Sequence, residues 1–99
     1  MSNKSSSANQ RAQAVIEIVN QRGLHARASA KLVKAVARFS CEVTVTKDGT
    51  SVSGRSIMGL MMLGAGIGST IELLAVGGDA EPAMREILQL ISAKFHEDQ

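Results

Sequence analysis

The residues of this chain best suited to chemistry stand together in one stretch, Gly23-Leu24-His25-Ala26-Arg27-Ala28-Ser29-Ala30-Lys31. His25 is one of only two histidines, with a glycine two residues before it and an arginine two residues after it. A neutral imidazole carries a free lone pair near pH 7 and can attack an electrophile without a separate base. Arg27 adds a planar fork of donors that matches phosphate oxygens. Together they suit a site that takes up a phosphoryl group, holds it briefly and hands it on, provided the fold positions both.

The elements that must do so flank the stretch. Residues 14–19, Ala-Val-Ile-Glu-Ile-Val, read as a strand, with Ala14, Ile16 and Ile18 on one face. Residues 26–39 carry apolar side chains at helical spacing, at Leu32, Val33, Val36 and Ala37. His25 is therefore expected where a strand-and-loop segment gives way to a helix. The first turn of a helix has backbone N–H groups without intrahelical partners, and the helix dipole adds partial positive charge, so an anion is favoured there. The same spacing also fits a histidine that is only a cap or a surface residue. Residues two apart within a helix do not face each other, so His25 and Arg27 can cooperate only if His25 lies just before the helix.

Composition bounds the rest. Ninety-nine residues make one domain, and 44% hydrophobic content supports a modest core. With no Trp, no Tyr and two Phe, that core must be aliphatic, with methionine filling gaps. A net charge of +2, scattered basic residues and almost no aromatic platform argue against nucleic-acid binding. One cysteine, Cys41, cannot form an internal disulfide and fits a small buried hydrophobe. No secretory signal and no run long enough to cross a bilayer is evident, which predicts a cytoplasmic protein with no membrane partner. His96 lies in a polar tail and is expected to be exposed and idle. No metal site is expected, since His25 and His96 lack further ligands, and no cofactor is implied.

Along the chain, residues 1–12 are polar and expected to be a disordered tail, leaving one domain over 13–96. Residues 41–46 alternate cleanly as a strand, and Lys47-Asp48-Gly49-Thr50 signals a hairpin into a short polar edge strand at 50–53. Ser56 is placed to cap a short helix over 56–63. Gly64-Ala65-Gly66-Ile67-Gly68-Ser69 reads as a flexible connector and not as a nucleotide loop, because it precedes a strand instead of following one. Residues 70–76 form a fourth strand. Asp79 is expected to cap the last helix, whose apolar stripe is Met84, Ile87, Leu88, Ile91 and Phe95. The order is βαββαβα. The fold class is α+β, an open-faced β-sandwich with a four-stranded antiparallel sheet covered on one face by three helices. Ile57, Met58, Leu60, Met61, Met62 and Leu63 are too many apolar residues for one face of so short a helix. Some must be exposed, and methionines suit a surface that meets several partners.

Residues 23–33, GLHARASAKLV, resemble the active-site segment of the HPr phosphocarrier family of the bacterial phosphoenolpyruvate-dependent phosphotransferase system. Arg55-Ser56-Ile57-Met58-Gly59-Leu60-Met61 resembles the regulatory-serine segment of the same family, and the likeness in layout runs over about residues 13–95. One departure is Ala28, where the family usually has proline. Alanine is a good helix former, so the helix is expected to survive.

The resemblance implies an HPr-like fold and a phosphocarrier, not an enzyme. It implies that His25 is phosphorylated through Nδ1, receives the group from enzyme I and passes it to an EIIA-type acceptor, with Arg27 as the phosphoryl clamp. It also implies regulatory phosphorylation of Ser56 by an HPr kinase/phosphorylase. Ala26, Ala28, Ile57, Met58, Leu60 and Met61 are the expected partner surface. The segment 58–63 looks closer to carriers of the nitrogen-related regulatory branch than to those of sugar uptake. The alternative is a non-transferring regulatory protein that binds its targets through Ser56 and the methionine patch. Retention of both His25 and Arg27 argues against it.

Overall fold

The computed structural model describes residues 10–97. The chain runs β1 (Arg11–Glu17), α1 (Ala26–Val36), β2 (Glu42–Lys47), β3 (Thr50–Ser53), α2 (Ile57–Met62), β4 (Thr70–Val76) and α3 (Ala80–Ser92), then a short turn at Lys94–His96. The expected βαββαβα order is thus observed. β1 begins at Arg11, so the polar tail expected over residues 1–12 is too long by two, and residues 1–9 lie outside the described residues.

The four strands form one antiparallel sheet in the order β1-β4-β2-β3. β4 and β2 are the inner strands, and β4 buries Ile71, Leu73 and Ala75 on the core face. Register brings Ala14 and Val45 opposite Leu73, Ile16 opposite Ile71, and Val43 opposite Ala75, so the core-facing residues of three strands share one face. Leu32, Val36, Leu60, Ile87 and Ile91 close that face from the helices and are fully buried. The other face, with Val15, Thr44, Thr46 and Glu72, carries no helix.

Three local expectations need correcting. α1 ends at Val36 and not at Phe39, because the chain tightens: Arg38 N–H bonds Ala35 O and Phe39 N–H bonds Val36 O, both three residues back. Asp79 makes no side-chain cap to α3. Its carboxylate instead accepts from Ser40 N–H at 2.7 Å, Ser40 Oγ at 3.2 Å and Cys41 N–H at 2.9 Å, tying the α1–β2 loop to the start of α3. Those donors, the Ser40 amide foremost, hold the Asp79 carboxyl below its ordinary range. Cys41 is buried as expected, and burial, reinforced by the nearby Asp79 charge, pushes its thiol up.

The third correction concerns Phe95, read as the last position of the α3 stripe. The helix stops at Ser92, and Lys94, Phe95 and His96 adopt φ of 58°, 57° and 58°. Such left-handed non-glycine residues cost about 1 kcal/mol or more each. Full burial of Phe95 offsets part of this, at about 1.5–3 kcal/mol, and the Phe95 carbonyl accepts from Lys31 Nζ at 2.6 Å. The turn reverses the chain and lays its end across the first turns of α1.

Candidate functional site

The loop before α1 is held on both sides. Gly23 has φ 64°, and a Cβ there would come within 2.3 Å of the Ala65 carbonyl oxygen, so no larger residue fits. The next residue, Leu24, donates its N–H to that same carbonyl at 2.9 Å and buries its side chain. The 64–69 segment, expected to be a flexible connector, is therefore pinned: Gly68 N–H bonds Ile18 O and Ile18 N–H bonds Ser69 O, each at 2.8 Å. Buried Ser29 donates Oγ–H to Leu24 O at 3.1 Å, fixing the loop to the helix it introduces.

His25 emerges from this frame as the N-cap of α1, with extended backbone (φ −73°, ψ −179°). Its Nδ1 accepts from Arg27 N–H at 3.3 Å. This is the arrangement that the sequence required for His25 and Arg27 to cooperate. The ring is neither sunk in the core nor fully in solvent, with 17% of the side chain exposed. Arg27 is exposed on the first turn, and none of the ion pairs among the described residues involves it. Ala28 is fully buried, and the helix forms without proline at that position.

Two residues of the site were not singled out from sequence. Glu97 brings a carboxylate oxygen, Oε2, onto His25 Nε2. Its other oxygen accepts from Asn20 Nδ2 at 3.1 Å, and buried Asn20 also donates to Gly23 O at 2.8 Å. Glu97 lies 72 positions from His25, so no local motif links the two. The one usable signal is Phe95, the apolar residue directly before the polar tail, whose burial draws that tail inward. Gln21, Arg22, Arg27, Lys31 and His96 complete a cleft of about 380 Å³ around His25 and Glu97. His96 is exposed as expected but lines this cleft. Three cationic side chains against one carboxylate suit a phosphate-sized anion. No group of three or more metal-ligating side chains occurs among the described residues.

Ser56 caps α2, its Oγ accepting from Gly59 N–H at 2.9 Å. Arg55 donates Nη2–H to the carbonyls of Phe39 and Cys41 and serves the fold. The expected partner surface needs revision. Ala28 and Leu60 are fully buried and cannot meet a partner. A short apolar helix does not reveal its inner face by pattern, and here Leu60 is the residue that turns inward. Ala26 is exposed, as are Ile57, Met58 and Met61, and the apolar surface extends to Met62 and Ile67. This patch adjoins the His25 loop through the contact of residues 65–66 with Gly23.

Residues 12–93 match the family model for the PTS HPr component phosphorylation site. The chain belongs to the HPr family. The HPr of Neisseria meningitidis serogroup A is 51% identical over 82 residues, covering 83% of this chain and 92% of that protein. The phosphocarrier protein NPr of Shewanella violacea is 43% identical over 82 residues, covering 83% and 90%. Among solved structures, HPr-C-His from Thermoanaerobacter tengcongensis superposes with a TM-score of 0.85 at 41% identity, covering 89% of this chain and 99% of that one. Membership makes this chain a phosphocarrier of the phosphotransferase system and not an enzyme, acting with other components of that system. No helix among the described residues is long and apolar enough to cross a membrane.

Proposed function

We propose that His25 is the phosphoryl-bearing residue, that it is charged through Nδ1 by enzyme I using phosphoenolpyruvate, and that it delivers the group to an EIIA-type domain. The observation that carries this reading is the orientation of Nδ1 towards the Arg27 amide at the open end of α1. A phosphoryl group on Nδ1 would meet unpaired helix N–H groups, the positive end of the helix dipole and the Arg27 guanidinium. Phosphoryl transfer asks mainly for positioning and charge stabilisation, and these groups supply both.

Ala26, Ile57, Met58 and Met61, extended by Met62 and Ile67, form the docking surface, used in turn by donor and acceptor. Small transient interfaces suit a carrier that must leave each partner after transfer. Ser56 lies at the edge of that patch. Its phosphorylation by an HPr kinase/phosphorylase would add negative charge at a helix start, where it is tolerated, and would weaken docking of enzyme I without unfolding the domain.

Incubation with enzyme I and phosphoenolpyruvate should add one acid-labile phosphoryl group, detected by mass spectrometry, and His25→Ala should abolish it. Label persisting on His25→Ala would overturn the assignment.

A further inference from the structure

The reading of His25 as phosphoryl carrier leaves unexplained why a glutamate from the far end of the chain sits on the ring's other nitrogen. Among the described residues, three things hold Glu97 there. Asn20 Nδ2 donates to its Oε1 at 3.1 Å, Phe95 is fully buried two residues earlier, and Lys31 Nζ donates to the Phe95 carbonyl at 2.6 Å. Only 10% of the Glu97 side chain is exposed. A chain end anchored this firmly, through three left-handed residues, sets a specific geometry at His25.

We propose that Glu97 is a positioning residue for phosphoryl transfer, which keeps the His25 ring proton on Nε2 so that Nδ1 presents its lone pair to the phosphoryl group. The proposal rests on the phosphocarrier reading of His25. A carboxylate can only accept, so the nitrogen that faces it carries the hydrogen. Nδ1 accepts from the Arg27 amide, so it carries the lone pair. The two contacts select the same tautomer. Arg22, Arg27 and Lys31, which line the same cleft, only donate and cannot take over the acceptor role; Gln21 and His96, which also line it, are exposed at its rim.

Both directions of transfer need this tautomer. On uptake, the Nδ1 lone pair forms the N–P bond as the donor's bond to phosphorus breaks, and the donor leaves with that electron pair. No proton leaves the ring, which becomes cationic with Nε2–H against the carboxylate. On delivery, an acceptor nucleophile forms its bond to phosphorus, the N–P bond breaks and its electron pair returns to Nδ1. Because Nε2 has stayed protonated, the ring departs as neutral imidazole and not as a far more basic imidazolate. The two ring nitrogens point away from each other, so the carboxylate can attend to one without standing in front of the other.

The test is Glu97→Ala, read in two ways at a pH where the His25 ring is neutral. Nitrogen-15 NMR of the ring in the resting protein requires no phosphoryl donor: the unmodified chain should show the Nε2–H tautomer alone and the variant a mixture of both. Phosphoryl uptake from phosphorylated enzyme I should slow about tenfold in the variant, the low end of what removing a carboxylate behind a functional histidine costs at metal sites. The proposal requires both changes. A mixture already present in the unmodified chain, or a change in one readout without the other, would overturn it. Faster uptake would overturn it in favour of a blocking role for Glu97. Failure of the unmodified chain to take label at His25 would instead sink the phosphocarrier reading, whatever the NMR shows.

Discussion

Two helices of this protein start with a side chain that accepts a backbone N–H, and the two caps differ in how firmly they are committed. Ser56 Oγ receives Gly59 N–H at 2.9 Å across a full turn, the ordinary capping geometry. His25 Nδ1 receives Arg27 N–H at 3.3 Å from only two residues away. The serine bond is the shorter one. The histidine bond is long and supports α1 weakly, so little is lost when another group takes the place of that N–H. What looks like the poorer cap is the one that leaves a reactive lone pair at a helix start. α3 completes the comparison, since Asp79 stands at its start but spends its carboxylate on Ser40 and Cys41.

Mutations can break this comparison or sharpen it. The largest loss of stability is expected for Gly23→Ala, which forces a side chain against the Ala65 carbonyl at positive φ. It should lower stability by about 1–3 kcal/mol in a denaturant titration and also displace His25. Next comes Asp79→Asn, because the carboxylate accepts three hydrogen bonds. Its folded value lies below the unfolded one, so its contribution is fully present above about pH 4 and disappears as pH falls through the lowered folded value. Melting curves of the Asn variant and the unmodified chain should therefore differ most near neutrality and converge in acid. Ser56→Ala should cost about 1 kcal/mol, a fall of roughly 4–8 °C in Tm for a domain of this size, while His25 still takes label from enzyme I. The smallest change in stability is expected for His25→Ala made together with Glu97→Ala, so that no carboxylate is left without its ring partner: it should stay within about 0.5 kcal/mol of Glu97→Ala alone although labelling is lost. A drop as large as that of Ser56→Ala would show that His25 is a true structural cap and would erase the contrast.

How much of this was legible beforehand depended on the distance over which each feature is determined. β3 and β4 fall where alternation and the Asp48-Gly49 turn put them, and α1 begins at the residue after His25, because periodicity and turn chemistry are local. The strand order β1-β4-β2-β3 is not local, since four alternating strands can pair in several orders. The inner face of α2 is hidden in the sequence because nearly all its residues are apolar, so the pattern alone does not single out Leu60 as the buried one. Asp79 misled because an acid before a helix signals a cap until another loop competes for it. His25 and Arg27 were visible as neighbours in sequence, whereas Asn20 and Glu97 meet across 77 positions and nothing in either segment announces the other.

That long span has its own consequence for how the molecule assembles and loosens. A bond between Asn20 and Glu97 closes a loop containing nearly all of the described chain, and closures of that length are entropically the most demanding contacts in a fold. The sheet can form and hold without it. The finished setting around the reactive imidazole is thus among the latest parts to come together, and loss of the Asn20–Glu97 bond would detune the carrier while its strands stay paired.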